Sequence, residues 1–246
     1  MIVLVRATGL LLALGLGLGA CTSDEQAPLT VSAAASLTDA FGAVAAAYEE
    51  LHPDVDVELN LAGSSTLVEQ VLRGAPVDVL ITADEATMAR AVEADGVVSP
   101  PVSIARNRLV LAVPADGPDR EIGALADDEL LVGLCAPSVP CGAAAVAALA
   151  AAGVTAAPDT EEPDVRSLLA KLVAGELDVG LVYATDIAAS NGAVRGTELP
   201  VDAGTTLVAA TVVTSEQPDE AAAFVAFLTT DAARTLLRDA GFEVAL

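Results

Sequence analysis

Basic residues and aromatics are scarce in this chain of 246 residues, and each shortage narrows what it can do. Eleven Lys and Arg stand against 35 Asp and Glu, a net charge of -24. No basic stripe exists to displace phosphate counterions, so nucleic acid is excluded as a partner. Aromatics make up 2% of residues, too few to stack bases or cage an aromatic ligand. The single histidine, His52, sits in Leu51-His52-Pro53, where a surface cap at a helix end is the plain reading. Neither Gly-x-Ser-x-Gly nor Cys-x-x-Cys occurs, which argues against a serine hydrolase or a thiol oxidoreductase and for a chain that is not an enzyme. The core is left to Val, Leu, Ile and Ala, material that suits tightly packed α/β layers.

The N-terminus has the parts of an export signal over residues 1–20: Arg6, an apolar run from Leu10 to Leu18, then Leu18-Gly19-Ala20-Cys21. The run is too short and glycine-rich for a comfortable membrane span. Leu-Gly-Ala-Cys resembles the lipobox of bacterial lipoproteins, which implies cleavage before Cys21, lipidation of its thiol and an extracytoplasmic protein anchored to the membrane. An ordinary secretory signal is the alternative. Residues 21–28 read as a lipidated tether, with folded structure beginning near Leu29. Export exposes Cys135 and Cys141 to oxidising conditions. Five residues separate them, Pro137 and Pro140 included, so a small disulfide loop is feasible; a redox-active or metal-binding pair is the alternative.

From Leu29 onward the pattern alternates between strand and helix. Strands are expected over residues 29–33, 55–61, 77–82, 106–113, 130–134, 178–183 and 207–214. Helices are expected from Ser36 to Leu51, over residues 64–72, 85–95, 142–152 and 164–174, from Pro218, and over 231–240. Ser36 followed by Asp39 resembles a capping box. Repeated βα units favour a mainly parallel sheet in each of two lobes. Residues 29–108 and a return segment 207–246 would form the first lobe, and 109–206 the second. A short echo, Gly74-Ala75-Pro76-Val77-Asp78-Val79 against Gly175-Glu176-Leu177-Asp178-Val179, supports the duplication.

Four segments place a hydroxyl or a small residue where an extended run turns into a helix: residues 31–37, 61–65, 139–142 and 163–166. Such turns bare main-chain N–H groups that have no partner inside the helix and carry its positive dipole end. Several of them converging would hold an oxyanion without any lysine or arginine. Donor types alone leave sulfate, phosphate and molybdate open as ligands. A ferric ion finds little coordinating material in one histidine and two tyrosines.

The same residues carry a family resemblance. Ala33-Ala34-Ala35-Ser36-Leu37-Thr38-Asp39, Gly63-Ser64-Ser65-Thr66-Leu67, the run from Gly74 to Asp84, Val139-Pro140-Cys141-Gly142, Asp164-Val165-Arg166 and Leu181-Val182-Tyr183 occur in family order. Together they resemble the periplasmic molybdate-binding proteins of ABC transporters, over about residues 29–242. The resemblance implies a two-lobed type II solute-binding fold with a ligand cleft between the lobes. It implies a monomer that captures molybdate, and tungstate, for a membrane permease, with no cofactor and no metal bound directly by side chains. By motif, Ser36 and Ser64 would donate hydroxyl and backbone N–H bonds, Cys141 and Val165 backbone N–H bonds, and Tyr183 its phenol. Cys141 stands where many relatives have Ala, a tolerable exchange if the donor is main chain. Arg166 is expected at the rim or in a structural ion pair, and Tyr48 in the core.

Overall fold

The structure, a computed structural model, describes residues 27–244. The export segment and the lipidation expected at Cys21 lie outside the described residues. Strand β1 (Leu29–Ala34) leads through a tight 3-10 turn at Ala35–Leu37 into helix α1 (Thr38–Leu51). There follow β2 (Val57–Ala62), α2 (Ser64–Leu72), β3 (Val79–Thr82) and α3 (Glu85–Glu93). Strand β4 (Val102–Pro114) is the longest, and a second 3-10 turn spans Ile122–Ala126. Next come β5 (Val132–Cys135), α4 (Pro140–Ala152), β6 (Thr160–Glu162) and α5 (Val165–Val173). Strand β7 (Val179–Tyr183), α6 (Ala184–Ala189) and β8 (Val194–Glu198) follow, and β9 (Gly204–Thr211), α7 (Pro218–Phe227) and α8 (Asp231–Asp239) complete the chain.

Two sheets share β4. One has the order β2-β1-β3-β9-β4, the other β6-β5-β7-β4-β8. Strands β1, β2 and β3 pair in parallel, and β9 is antiparallel to both β3 and β4. Four of the five strands in this sheet therefore run one way. The second sheet repeats the scheme: β5, β6 and β7 pair in parallel, and β4 is antiparallel to β7 and β8. The expected mainly parallel two-lobed fold is thus present, with one reversed strand in each lobe.

The echo in the sequence has a structural counterpart. Asp78 stands just before β3, where one carboxylate oxygen accepts from Thr30 N–H at 2.8 Å and its own N–H donates to Thr30 O at 2.9 Å. Asp178 stands just before β7 and makes the same pair of bonds with Leu131, at 2.8 and 2.9 Å. In both lobes an aspartate just before the central strand accepts from a main-chain N–H at the start of the neighbouring strand.

Each sheet is covered by helices, and the cores are aliphatic, as the shortage of aromatics requires. In the first lobe Phe41, Val44 and Tyr48 of α1 meet Phe224 and Leu228 over β1 and β3; in the second, Leu168 and Leu172 of α5 meet Val179 and Leu181. Tyr48 is buried, as expected, and its phenol donates to Glu220.

Two local expectations are corrected. The Ser36–Asp39 capping box does not form: α1 begins two residues later at Thr38, no side chain caps it, and Asp39 bonds elsewhere. Helix α2 starts at Ser64 as expected, with Gly63 in the capping position. Strand β4 starts at Val102 rather than Arg106, since pairing with β9 extends it past the point where apolar alternation begins.

Candidate functional site

The four turns singled out in the sequence meet. Strands β1, β2, β5 and β6 each hand the chain to a helical segment at the same edge of the molecule, and those segments face one another across the gap between sheets. A small cavity there is lined by Ala34, Ala35, Ser36, Gly63, Ser64 and Ala83 from the first lobe. Val139, Pro140, Cys141, Pro163, Asp164, Val165 and Tyr183 line it from the second. All five residues expected at the site, Ser36, Ser64, Cys141, Val165 and Tyr183, are in this lining. No Lys or Arg is. Measured for the centres of water-sized atoms, the space is about 20 Å³, equivalent to a sphere of about 1.7 Å radius.

Donor geometry follows from helix ends. Ser64, Cys141 and Val165 occupy the first turns of α2, α4 and α5. Their N–H groups have no acceptor within their own helices. The helix ladders begin later, with Leu67 N–H to Gly63 O, Ala143 N–H to Val139 O and Leu168 N–H to Asp164 O. The positive ends of three helices therefore point into one small space.

The hydroxyls behave differently from one another. Ser64 Oγ accepts from Ala83 N–H at 3.0 Å, which fixes its position and leaves its proton to donate. Ser36 Oγ is buried with no partner, and so is the Tyr183 hydroxyl. The Thr205 hydroxyl, near enough to influence the phenol, is itself unpaired. Burying such a group unsatisfied costs roughly 1–3 kcal/mol, so two at one cavity demand an explanation. Burial pushes the Tyr183 phenol up; against the Thr205 hydroxyl, the charges of Asp186 and Asp84 push it the same way. It therefore stays a protonated donor.

The acids around the cavity are engaged. Asp164 caps α5, its two oxygens accepting from Ser167 N–H at 2.9 Å and Ser167 Oγ at 3.2 Å. Asp186 is 1% exposed and accepts from Tyr183 N–H at 3.0 Å. Burial pushes its carboxyl up to about 7, against the pull of that N–H and of Arg166. Sequence reasoning missed Asp186, although Tyr183-Ala184-Thr185-Asp186 carries an acid three residues after a strand end, the spacing of a helix start.

Asp186 has a measurable consequence. From the ordinary 3.8 up to about 7, the folded protein keeps a proton that the unfolded chain has released. Stability contributed by this group is therefore full at the acid end and falls as pH rises through that window, by at most about 1.4 kcal/mol per unit. Calorimetric melting across pH 4–8 is expected to show the wild type losing ground steadily to Asp186→Asn, with no further change above about pH 7. A difference independent of pH would mean that Asp186 titrates in the ordinary carboxylate range.

Cys135 and Cys141 form a disulfide, with Cα atoms 5.7 Å apart. It closes the loop that carries Val139 and Pro140 into the lining and presents Cys141 N–H. The side chain faces Cys135, not the cavity, so only the main chain of Cys141 is a donor candidate. Cys141→Ala is expected to lower stability by about 2 kcal/mol, the entropy of so short a loop, while anion affinity stays within a few-fold. Loss of binding in that variant, measured by titration calorimetry, would assign the disulfide a role in holding the donor. Among the described residues no group of three His, Cys, Asp or Glu side chains could hold a metal ion.

The family of bacterial extracellular solute-binding proteins matches residues 29–243. The molybdate-binding protein ModA of Mycobacterium tuberculosis is 35% identical over 252 residues, covering 96% of this chain and 97% of its own. Among solved structures, the sulfate-binding protein SubI of the same species superposes with a TM-score of 0.80 at 22% identity, covering 89% of this chain and 88% of its own. The periplasmic molybdate-binding protein of Azotobacter vinelandii gives 0.77 at 18% identity, covering 89% and 100%. At such identities the superpositions speak for the fold, while the sequence match reaches further. The chain belongs to the bacterial extracellular solute-binding proteins and, among them, to the family of the molybdate-binding protein ModA.

Proposed function

We propose that the chain captures molybdate outside the cytoplasm, takes tungstate as well, and delivers the anion to the permease of an ABC importer. The observation that carries this reading is the pair of buried hydroxyls brought by opposite lobes to one cavity: Ser36 Oγ, which has no partner, and the Tyr183 phenol, which has only the Thr205 hydroxyl beside it. Five to seven charge-assisted hydrogen bonds, at roughly 1.5–3 kcal/mol each, would outweigh dehydration and lobe closure. Helix dipoles supply the attraction that the surface, at a net charge of -24, denies. Family membership makes this a transport component that binds and releases its solute unchanged. The lipobox at Leu18-Gly19-Ala20-Cys21 supports a lipid anchor, and a monomer suffices, since one chain supplies the whole lining.

Selectivity would come from size. The space is small, about 20 Å³ for the centres of water-sized atoms, so donors from both lobes would meet on a single tetrahedral anion. A smaller tetrahedral anion would leave donors stretched, at a cost for each one. Protonated phosphate would present a hydrogen to a site made of donors. The second reading is sulfate, which a cavity lined by hydroxyls and main-chain N–H groups also suits by donor type. Titration calorimetry with molybdate, tungstate, sulfate and phosphate separates them. Heat with molybdate and tungstate but not sulfate is expected; the reverse order sinks the proposal.

A further inference from the structure

Two charged sets outside the lining join the lobes: Arg108 with Glu198 and Glu243 sits where β4 passes between the sheets, and the other set spans the cleft. Arg166 follows Val165 in the first turn of α5, where a cation opposes the helix dipole and an acid would be the favoured residue. Local preference is broken there, which marks a position held for another reason. Arg166 Nη1 donates to Asp39 Oδ2 at 2.8 Å. Asp39 lies in the first turn of α1, across the cleft. The same nitrogen lies 3.5 Å from Asp186 Oδ1, which has no other partner and belongs to the second lobe together with Arg166. The other Asp186 oxygen holds Tyr183 N–H.

Arg166 thus has one partner in its own lobe and one in the opposite lobe. Two further contacts cross the cleft nearby: Ser65 Oγ donates to Ser138 O at 3.2 Å, and Gly63 lies against Asp164. Neither joins opposite charges. Arg166 is absent from the cavity lining, so it acts on the anion through its neighbours.

We propose that Arg166 is a positioning residue that latches the closed cleft: anchored by Asp186, it engages Asp39 on closure and sets how long the anion stays. Val165 precedes it directly, so the latch steadies the N–H end of α5; through Asp186 it braces the strand end that carries Tyr183. In the open cleft Asp39 withdraws and the guanidinium faces solvent beside the entrance. The ion pair is part-exposed, with side chains 30% and 52% accessible, so its effect is modest and specific to escape.

The proposal rests on the anion-capture reading, and its test is built to fail separately. Stopped-flow tyrosine fluorescence with molybdate, and in parallel with sulfate, gives both rate constants for the full folded chain. Asp39→Asn is expected to raise the dissociation rate about two- to fivefold and to leave association within twofold. Arg166→Gln should do the same, and the double variant should be no worse than Arg166→Gln alone. Asp39 is exposed and caps nothing, so its variant stays folded, with a melting temperature lowered by at most a few degrees for the charge lost from the first turn of α1. Unchanged dissociation in Asp39→Asn, or losses that add in the double variant, overturn the proposal. If neither anion binds, the capture reading fails, and X-ray scattering without added anion still decides: a larger radius of gyration for Asp39→Asn supports the latch, equal radii refute it.

Discussion

Gly142→Ala is expected to strip the protein of both stability and anion binding. A Cβ at that position would fall 1.9 Å from Ala136 O, 2.4 Å from Ala136 C and 2.6 Å from Cys135 O. These are main-chain atoms at the end of β5, and the Cys135–Cys141 disulfide clamps the segment to the helix that would have to move. Overpacking in a core that can adjust costs about 1–3 kcal/mol; here nothing nearby is a flexible side chain, so at least about 3 kcal/mol is expected. For a chain of this size that lowers the melting temperature by about 6–12 °C. Binding goes as well, since the shift displaces the N–H groups of the first turn of α4. Gly123→Ala, where a Cβ meets nothing within 4 Å, is the control. Equal melting temperatures for the two variants would mean that α4 does not press on Ala136 as described.

The second large effect separates two serines that look alike in sequence. Ser36→Ala should weaken anion binding by about 1–3 kcal/mol, roughly five- to 150-fold, and leave the anion-free protein as stable as before or slightly more so. The reason is that Ser36 Oγ has no partner within the protein, so its removal strands nothing. Ser64→Ala should weaken binding by a similar factor but also cost about 1 kcal/mol of stability, because Ala83 N–H loses its acceptor. Titration and melting of both variants give four numbers. A stability loss in Ser36→Ala, with affinity intact, would place its hydroxyl in the framework and remove it from the site.

Much of the fold was legible because strand and helix periods differ and each helix has a marked end. Gly74 and Gly175 stop helices with positive φ of 82° and 71°, and Pro218 opens one. Three elements were not legible. Strand β6, Thr160–Glu162, is three residues with no apolar alternation, and β8, Val194–Glu198, is exposed along four of its five residues. Both exist because a neighbouring strand offers a ladder, which is tertiary information. Helix α6 is six residues long and is held by Asp186, a residue with no local reason to be buried.

The five residues named from the family resemblance lie together in one cavity lining, and three of them, Ser64, Cys141 and Val165, stand at helix beginnings. The capping box at Ser36 failed for an instructive reason: Asp39 had a partner 127 residues away in Arg166, and no local pattern contains that. The Cys135–Cys141 pairing was open to three chemistries on spacing alone and is a disulfide in the structure.

Strand β4 has a consequence for how the molecule can be taken apart. The chain passes from one sheet to the other between Arg108 and Leu109, and Leu109 N–H donates to Ala203 O at 3.0 Å on the way back. The two ends of everything between them therefore lie side by side. Residues 109–203 form a cassette with adjacent ends, which a two-residue turn could replace or a homologous cassette could occupy. Three of the five proposed donor residues, Cys141, Val165 and Tyr183, could then be exchanged in one graft without cutting the backbone that carries Ser36 and Ser64.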